Sequence, residues 1–187
     1  ILGTRQHGHI ASVGFHLYTR LLADAVKRTR ENRGLPLDKN DLLIKAHQPL
    51  VTIDLPIHTT IPAPYVPDLD MRLKLYRRIA NIDSLDKVDI LAEEFNDRFG
   101  PLPQPVKNLL YQLKIKILAA KAGLISIGHE YRQIVLRYPE GTVPPPMISD
   151  QPQVRPGKSA LWVEASTPIE DQPQMLIDLL ETLITSK

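Results

Sequence analysis

Glu93–Leu110 reads EEFNDRFGPLPQPVKNLL, and its order of acids, aromatic rings, glycine and alternating prolines decides how the chain turns. Phe95 and Phe99 continue a series begun by Leu85, Val88 and Ala92 at steps of three and four, one face of a helix that Ser84 can cap. Gly100 supplies a left-handed stop and Pro101 forbids continuation. Pro103 or Pro105 then suits the first turn of a second helix, where a missing amide hydrogen is no loss. Val106, Leu109, Leu110, Leu113, Ile117 and Ala120 form that helix's expected buried stripe. So short a connection predicts a helical hairpin.

Outward from the hairpin, Asp68 can cap an earlier helix with Leu69, Leu73, Tyr76 and Ala80 inside and Arg72, Lys74, Arg77 and Arg78 outside. Before it, prolines 56, 62, 64 and 67 remove amide donors and force extended backbone, so this stretch reads as a strap over a surface. Val51, Ile53 and Leu55 alternate with Thr52 and Asp54 as a short strand. Residues 35–50 read as a linker, and Ser12 to Arg33 as a long amphipathic helix with Phe15, Tyr18 and Leu22 on one face, stopped at Gly34.

Downstream, Gly123 ends the second hairpin helix, and LISIGHEYRQIVLRYP predicts two antiparallel strands about a break at Gly128. A Pro-rich loop over 139–157 precedes a strand in SALWVEA. Asp171 and Pro173 then open a closing helix that buries Leu176, Leu179, Leu180 and Leu183. Helices first and strands later make the expected fold class α+β: a helical hairpin and further helices packed with a small antiparallel sheet, preceded by a long N-terminal helix and a Pro-rich strap.

A chain of 187 residues can bury roughly 70% of its unfolded surface, enough for a substantial core. Seventeen prolines against nine glycines agree with long extended connections. Without cysteine there is no disulfide, thiolate metal cluster or cysteine nucleophile, which accords with a reducing cytoplasm. No apolar run reaches the length of a membrane span. ILGTRQHGHI lacks both an initiator methionine and a cleavable signal, so the chain is expected to be cut from a longer one. The formal charge of +2 is uneven, with six Lys/Arg against two acids over 1–33 and three against seven over 139–187.

No phosphate-binding glycine loop or nucleophile elbow is present. His7 and His9 stand two apart without the acid partners that a metal site needs, so no metal is expected. Lys107, Lys114 and Lys121 recur every seven residues, joined by Lys116 with no acid between 101 and 122; they are candidate phosphate contacts for a nucleic-acid-binding reading. Against it stands the ordinary solvated lysine face. Glu93, Glu94 and Asp97 offer the converse, an expected exposed acidic edge beside the proline connection, suited to an arginine-bearing partner surface.

Three strings, LGTRQHGHIASVGFHLY, IPAPYVPDLDMRLKLYRRIA and EEFNDRFGPLP followed by Val106 and Leu109, together resemble the C-terminal region of the bacterial transcription-repair coupling factors (Mfd). The resemblance runs from residue 1 to about 123 and leaves only a compatible pattern beyond. The first string is also similar to the RecG helicases. The resemblance implies a parent that is an ATP- and magnesium-dependent translocase on double-stranded DNA, displacing stalled RNA polymerase and recruiting the damage sensor UvrA in the bacterial cytoplasm. It implies that residues 1–34 end the motor module, with Gly3, Gln6, Gly8 and His9 in its translocation-coupling motif. His7 departs from the serine usual there. Residues 51–187 would be the C-terminal regulatory domain, itself without catalysis or cofactor. By the same resemblance this domain would fold onto the parent's own UvrA-binding module, with Glu93, Glu94, Asp97 and Arg98 as the expected interface, and hold the protein autoinhibited.

Overall fold

The computed structural model describes residues 51–145, 154–164 and 173–186. The expected N-terminal helix, linker and coupling motif, including Gly3, Gln6, Gly8 and His9, lie outside these residues, as does Asp171. Among the described residues, β1 (Thr52–Asp54) is followed by α1 (Leu69–Ala80), α2 (Leu85–Phe99) and α3 (Gln104–Ala122). The chain then forms β2 (Ser126–Glu130), β3 (Gln133–Arg137), β4 (Val154–Pro156), β5 (Ala160–Glu164) and α4 (Pro173–Thr185). The α+β class holds.

The five strands lie in the order β1-β2-β3-β5-β4. The sheet is mixed rather than purely antiparallel. β1 runs parallel to β2, with Ile53 opposite Ile127, because the three helices between them form the crossover that a parallel pair requires. β4 was hidden in the Pro-rich stretch; it pairs antiparallel with β5 at the sheet edge, where the missing amide of Pro156 breaks no ladder. The β2–β3 turn falls at Tyr131–Arg132, not at Gly128, which stays in register opposite Val135. Tyr131 takes φ 57° there and is almost wholly exposed, a conformation in which glycine is usual.

Two cores share α3 as their common wall. One gathers Ile61 and Val66 of the strap with Tyr76 and Ile79 of α1, Val88, Leu91 and Phe95 of α2, and Val106, Leu109, Leu113 and Ile117 of α3. The other packs Ile115, Leu118 and Ala122 of α3 against sheet residues Ile127, Leu136 and Leu161 and against Leu176, Leu179, Leu180 and Leu183 of α4. Buried on both sides, α3 has no single stripe, and Ala120, assigned to the interior from spacing, is exposed. The stripe of α1 is likewise rotated: Leu75, Tyr76 and Ile79 are buried, whereas Leu69 and Ala80 are exposed.

The strap at 56–67 contains neither helix nor strand, and side chains from the helices answer its backbone. The Ile61 amide donates to the Tyr76 hydroxyl at 2.7 Å, Asn108 Nδ2 to the His58 carbonyl at 3.1 Å, and Arg72 Nη1 to the Val66 carbonyl at 2.6 Å. Prolines removed the donors for a ladder, so buried carbonyls find partners on neighbouring elements. Asn108 is buried for this purpose.

Candidate functional site

The charged corner sits where α2 ends. Val88, Leu91 and Phe95 face inward, so Glu93 and Asp97, each two positions from Phe95, face solvent, and Arg98 is exposed beside them. Gly100 closes the helix with φ 85° and ψ −167°, and its amide donates to the Asn96 carbonyl. This is a left-handed stop only in the sign of φ; with ψ near 180° it is a region essentially reserved for glycine, and it swings the chain out to Pro101. Pro103 is the N-cap of α3 and Pro105 lies in its first turn, as the spacing predicts.

Two features fix the corner's direction. The Tyr65 hydroxyl, on the strap, reaches both the Phe95 carbonyl at 2.9 Å and the Gly100 carbonyl at 3.0 Å. The rings of Tyr65 and Phe99, and of Phe99 and Phe95, meet edge to face with centroids 5.8 and 6.0 Å apart. Burial pushes the Tyr65 phenol up, keeping it a donor.

Glu94 is already engaged within the domain. Its carboxylate accepts from Arg98 Nη1, one turn on, at 2.8 Å and is paired with Arg78 in the last turn of α1. Hydrogen bonds from Arg98 and then Arg78 hold its carboxyl below the usual carboxylate range. Glu94 is only 24% exposed, against 47% for Arg78 and 42% for Arg98. Sequence reasoning placed Arg78 on an outer face and missed this bridge, since residues 16 apart on separate helices leave no local periodic signal.

The lysine row divides on folding. Lys107 and Lys121 are exposed, Lys114 is paired with Asp89 of α2 at 2.7 Å, and Lys116 is half-buried, its amine pushed down by desolvation. The absence of acids within α3 concealed the acid that α2 brings to it. Among the described residues, no group of three or more His, Asp or Glu side chains stands close enough to share a metal ion. No helix there is long and apolar enough to cross a membrane.

The TRCF domain family matches residues 55–147. The transcription-repair-coupling factor of Haemophilus influenzae is 37% identical over 127 residues, which is 68% of this chain and 11% of that protein. That of Mycobacterium tuberculosis is 32% identical over 127 residues, 68% of this chain and 10% of its own length. The chain thus spans about a tenth of the length of these relatives. A solved C-terminal domain of transcription-repair coupling factor superposes with TM-score 0.60 at 22% identity, covering 72% of this chain and 94% of that one, and shares the fold.

Proposed function

The chain belongs to the transcription-repair coupling factor family, and from that premise we propose that it is a noncatalytic regulatory domain whose charged corner masks the UvrA-binding module of a longer DNA-repair translocase. The supporting observation is the corner itself: Glu93 and Asp97 exposed beside the half-shielded Glu94, on a helix end braced by Gly100 and Tyr65. Rigid presentation lowers the ordering cost of association. The parent would consume ATP with magnesium, move on duplex DNA against stalled RNA polymerase and work in the bacterial cytoplasm; the motor chemistry belongs to segments other than 51–186.

The Glu94 bridge gives the clasp its reversibility. An arginine of the masked module takes the place of Arg78 or Arg98, so binding exchanges one exposed ion pair for another and gains at most about 1 kcal/mol from it. Glu93 and Asp97 must add their own contacts. Release on polymerase engagement then needs only a modest differential affinity. The nucleic-acid reading of the lysine row draws less support, because Lys114 and Lys116 are occupied by Asp89 and by burial.

The test is UvrA capture by the parent protein carrying Asp97→Arg, a residue outside the Glu94 bridge, and separately Glu94→Arg. Both should raise capture, and this chain should bind the isolated UvrA-binding module. Unchanged capture by correctly folded variants, with no binding of the isolated module, removes the clasp.

A further inference from the structure

At about 100° of turn per residue, Asp86, Ile90, Glu93 and Asp97 fall within an arc of roughly 60° on α2, opposite the buried row of Val88, Leu91 and Phe95. They make the crest of the helix, a line about 16 Å long. All four are exposed, Ile90 by 57%. A lone exposed isoleucine is unremarkable, and so is a carboxylate on an outer face. The charge around this isoleucine is what sets it apart.

The flanks of α2 are paired and its crest is not. On one flank Asp89 meets Lys114 of α3 at 2.7 Å; on the other Asp83 meets Lys87 at 2.6 Å, and Glu94 holds both Arg78 and Arg98. Among the described residues, Asp86, Glu93 and Asp97 have no ion-pair partner. Together these six acids face four cations, so the surface around Ile90 carries a net charge of −2. Asp86 suits the first turn of the helix. Glu93 and Asp97 do not help the helix that bears them: they repel each other one turn apart, and Asp97 adds negative charge at the negative end of the dipole. Within the domain nothing answers these carboxylates; a cation from outside would.

The sign of the charge selects the occupant. An anionic crest repels nucleic acid and anionic lipid and attracts a polypeptide strip bearing Arg or Lys. Ile90 stands among the carboxylates as an apolar centre that can shut water out from the pairs around it, as the core of an interface does for its rim.

We propose that the masked module covers the whole crest of α2 and not the corner alone: a cationic strip of the UvrA-binding module seats one large apolar side chain on Ile90 and basic side chains on Asp86, Glu93 and Asp97. This rests on the masking of that module and extends it to Asp86 and Ile90, which lie before the corner.

The test has two arms. In the first, the isotope-labelled whole chain is titrated with the isolated UvrA-binding module, and the backbone amides of Asp86 and Ile90 should shift together with those of Glu93 and Asp97. Ile90→Gln should weaken binding about tenfold, Asp86→Asn about threefold, and added salt should weaken it further, whereas Ile90→Leu should preserve it. In the second, the parent protein carrying Ile90→Gln should capture more UvrA, as Asp97→Arg should. If Asp97→Arg raises capture while Ile90→Gln and Asp86→Asn do not, or if the amide shifts stop at Glu93, the masking stands and the extension along the crest is overturned. If no variant changes capture and the isolated module does not bind, both are overturned. Binding that ignores salt, or a dimer of this chain that Ile90→Gln dissolves, also overturns the extension.

Discussion

Tyr65→Phe isolates what the strap contributes to the end of α2. The substitution keeps the ring, and with it the edge-to-face contact with Phe99, and deletes only the oxygen that serves the Phe95 and Gly100 carbonyls. One hydroxyl has one proton, so a single net hydrogen bond is lost, about 0.5–1.5 kcal/mol. The Gly100 carbonyl follows the helix and has no intrahelical amide to turn to, and Tyr65 is half-buried, which limits replacement by water. The upper half of that range is therefore expected, about 1–1.5 kcal/mol, which for a chain of this size lowers Tm by roughly 2–6 °C. Urea titration followed by far-ultraviolet circular dichroism, with a companion thermal scan, measures it. The m-value should not change, since the same surface is exposed on unfolding. A loss below about 0.3 kcal/mol, less than even a weak net hydrogen bond, would refute the reasoning: the strap would then lie against the hairpin without tying it.

Three further outcomes are expected. Gly100→Ala meets no atom within 4 Å of its new Cβ, so its whole cost is backbone conformation at φ 85°, about 1–3 kcal/mol by urea titration, and a neutral result would place the constraint elsewhere. Lys116 binds its proton less tightly folded than unfolded, so its charge opposes folding at neutral pH and the penalty fades as pH climbs toward the ordinary lysine range; Lys116→Met should stabilise by about 1 kcal/mol at pH 7, with a difference that shrinks in alkaline titrations. Glu94 is the opposite case. Its lowered folded value means that its pairs with Arg98 and Arg78 act above the ordinary value of 4.5 and are lost as pH falls through the folded one; Glu94→Gln should cost up to about 1 kcal/mol at neutral pH and converge with the unsubstituted protein in strong acid.

Periodicity served best where a helix faces one neighbour. α2 and α4 show their buried residues at steps of three and four, and the glycines and prolines between α2 and α3 mark both helix ends directly. It served worst on α3, whose two faces are both covered, because a helix buried on opposite sides loses the contrast that makes a stripe visible. The parallel placement of β1 was not legible, since strand pairing is decided by the path of the helices rather than by Thr52–Asp54 itself. Nor was the turn at Tyr131, which lacks the glycine or asparagine that announces a two-residue hairpin loop. Of the charged corner, the exposure of Glu93 and Asp97 followed from helical phase. The capture of Glu94 by Arg78 followed only from the packing of α1 beside α2.

The shared wall formed by α3 bears on where this unit can be cut. The segment matched by the TRCF domain family ends at residue 147, short of β4, β5 and α4. Expressed alone, such a stretch would leave Ile115, Leu118 and Ala122 without the leucines of α4 that cover them, and would strip β3 of its neighbour β5. The smallest soluble piece must therefore run on to about Thr185, and a truncation library should show insolubility setting in abruptly once the terminal leucines are removed.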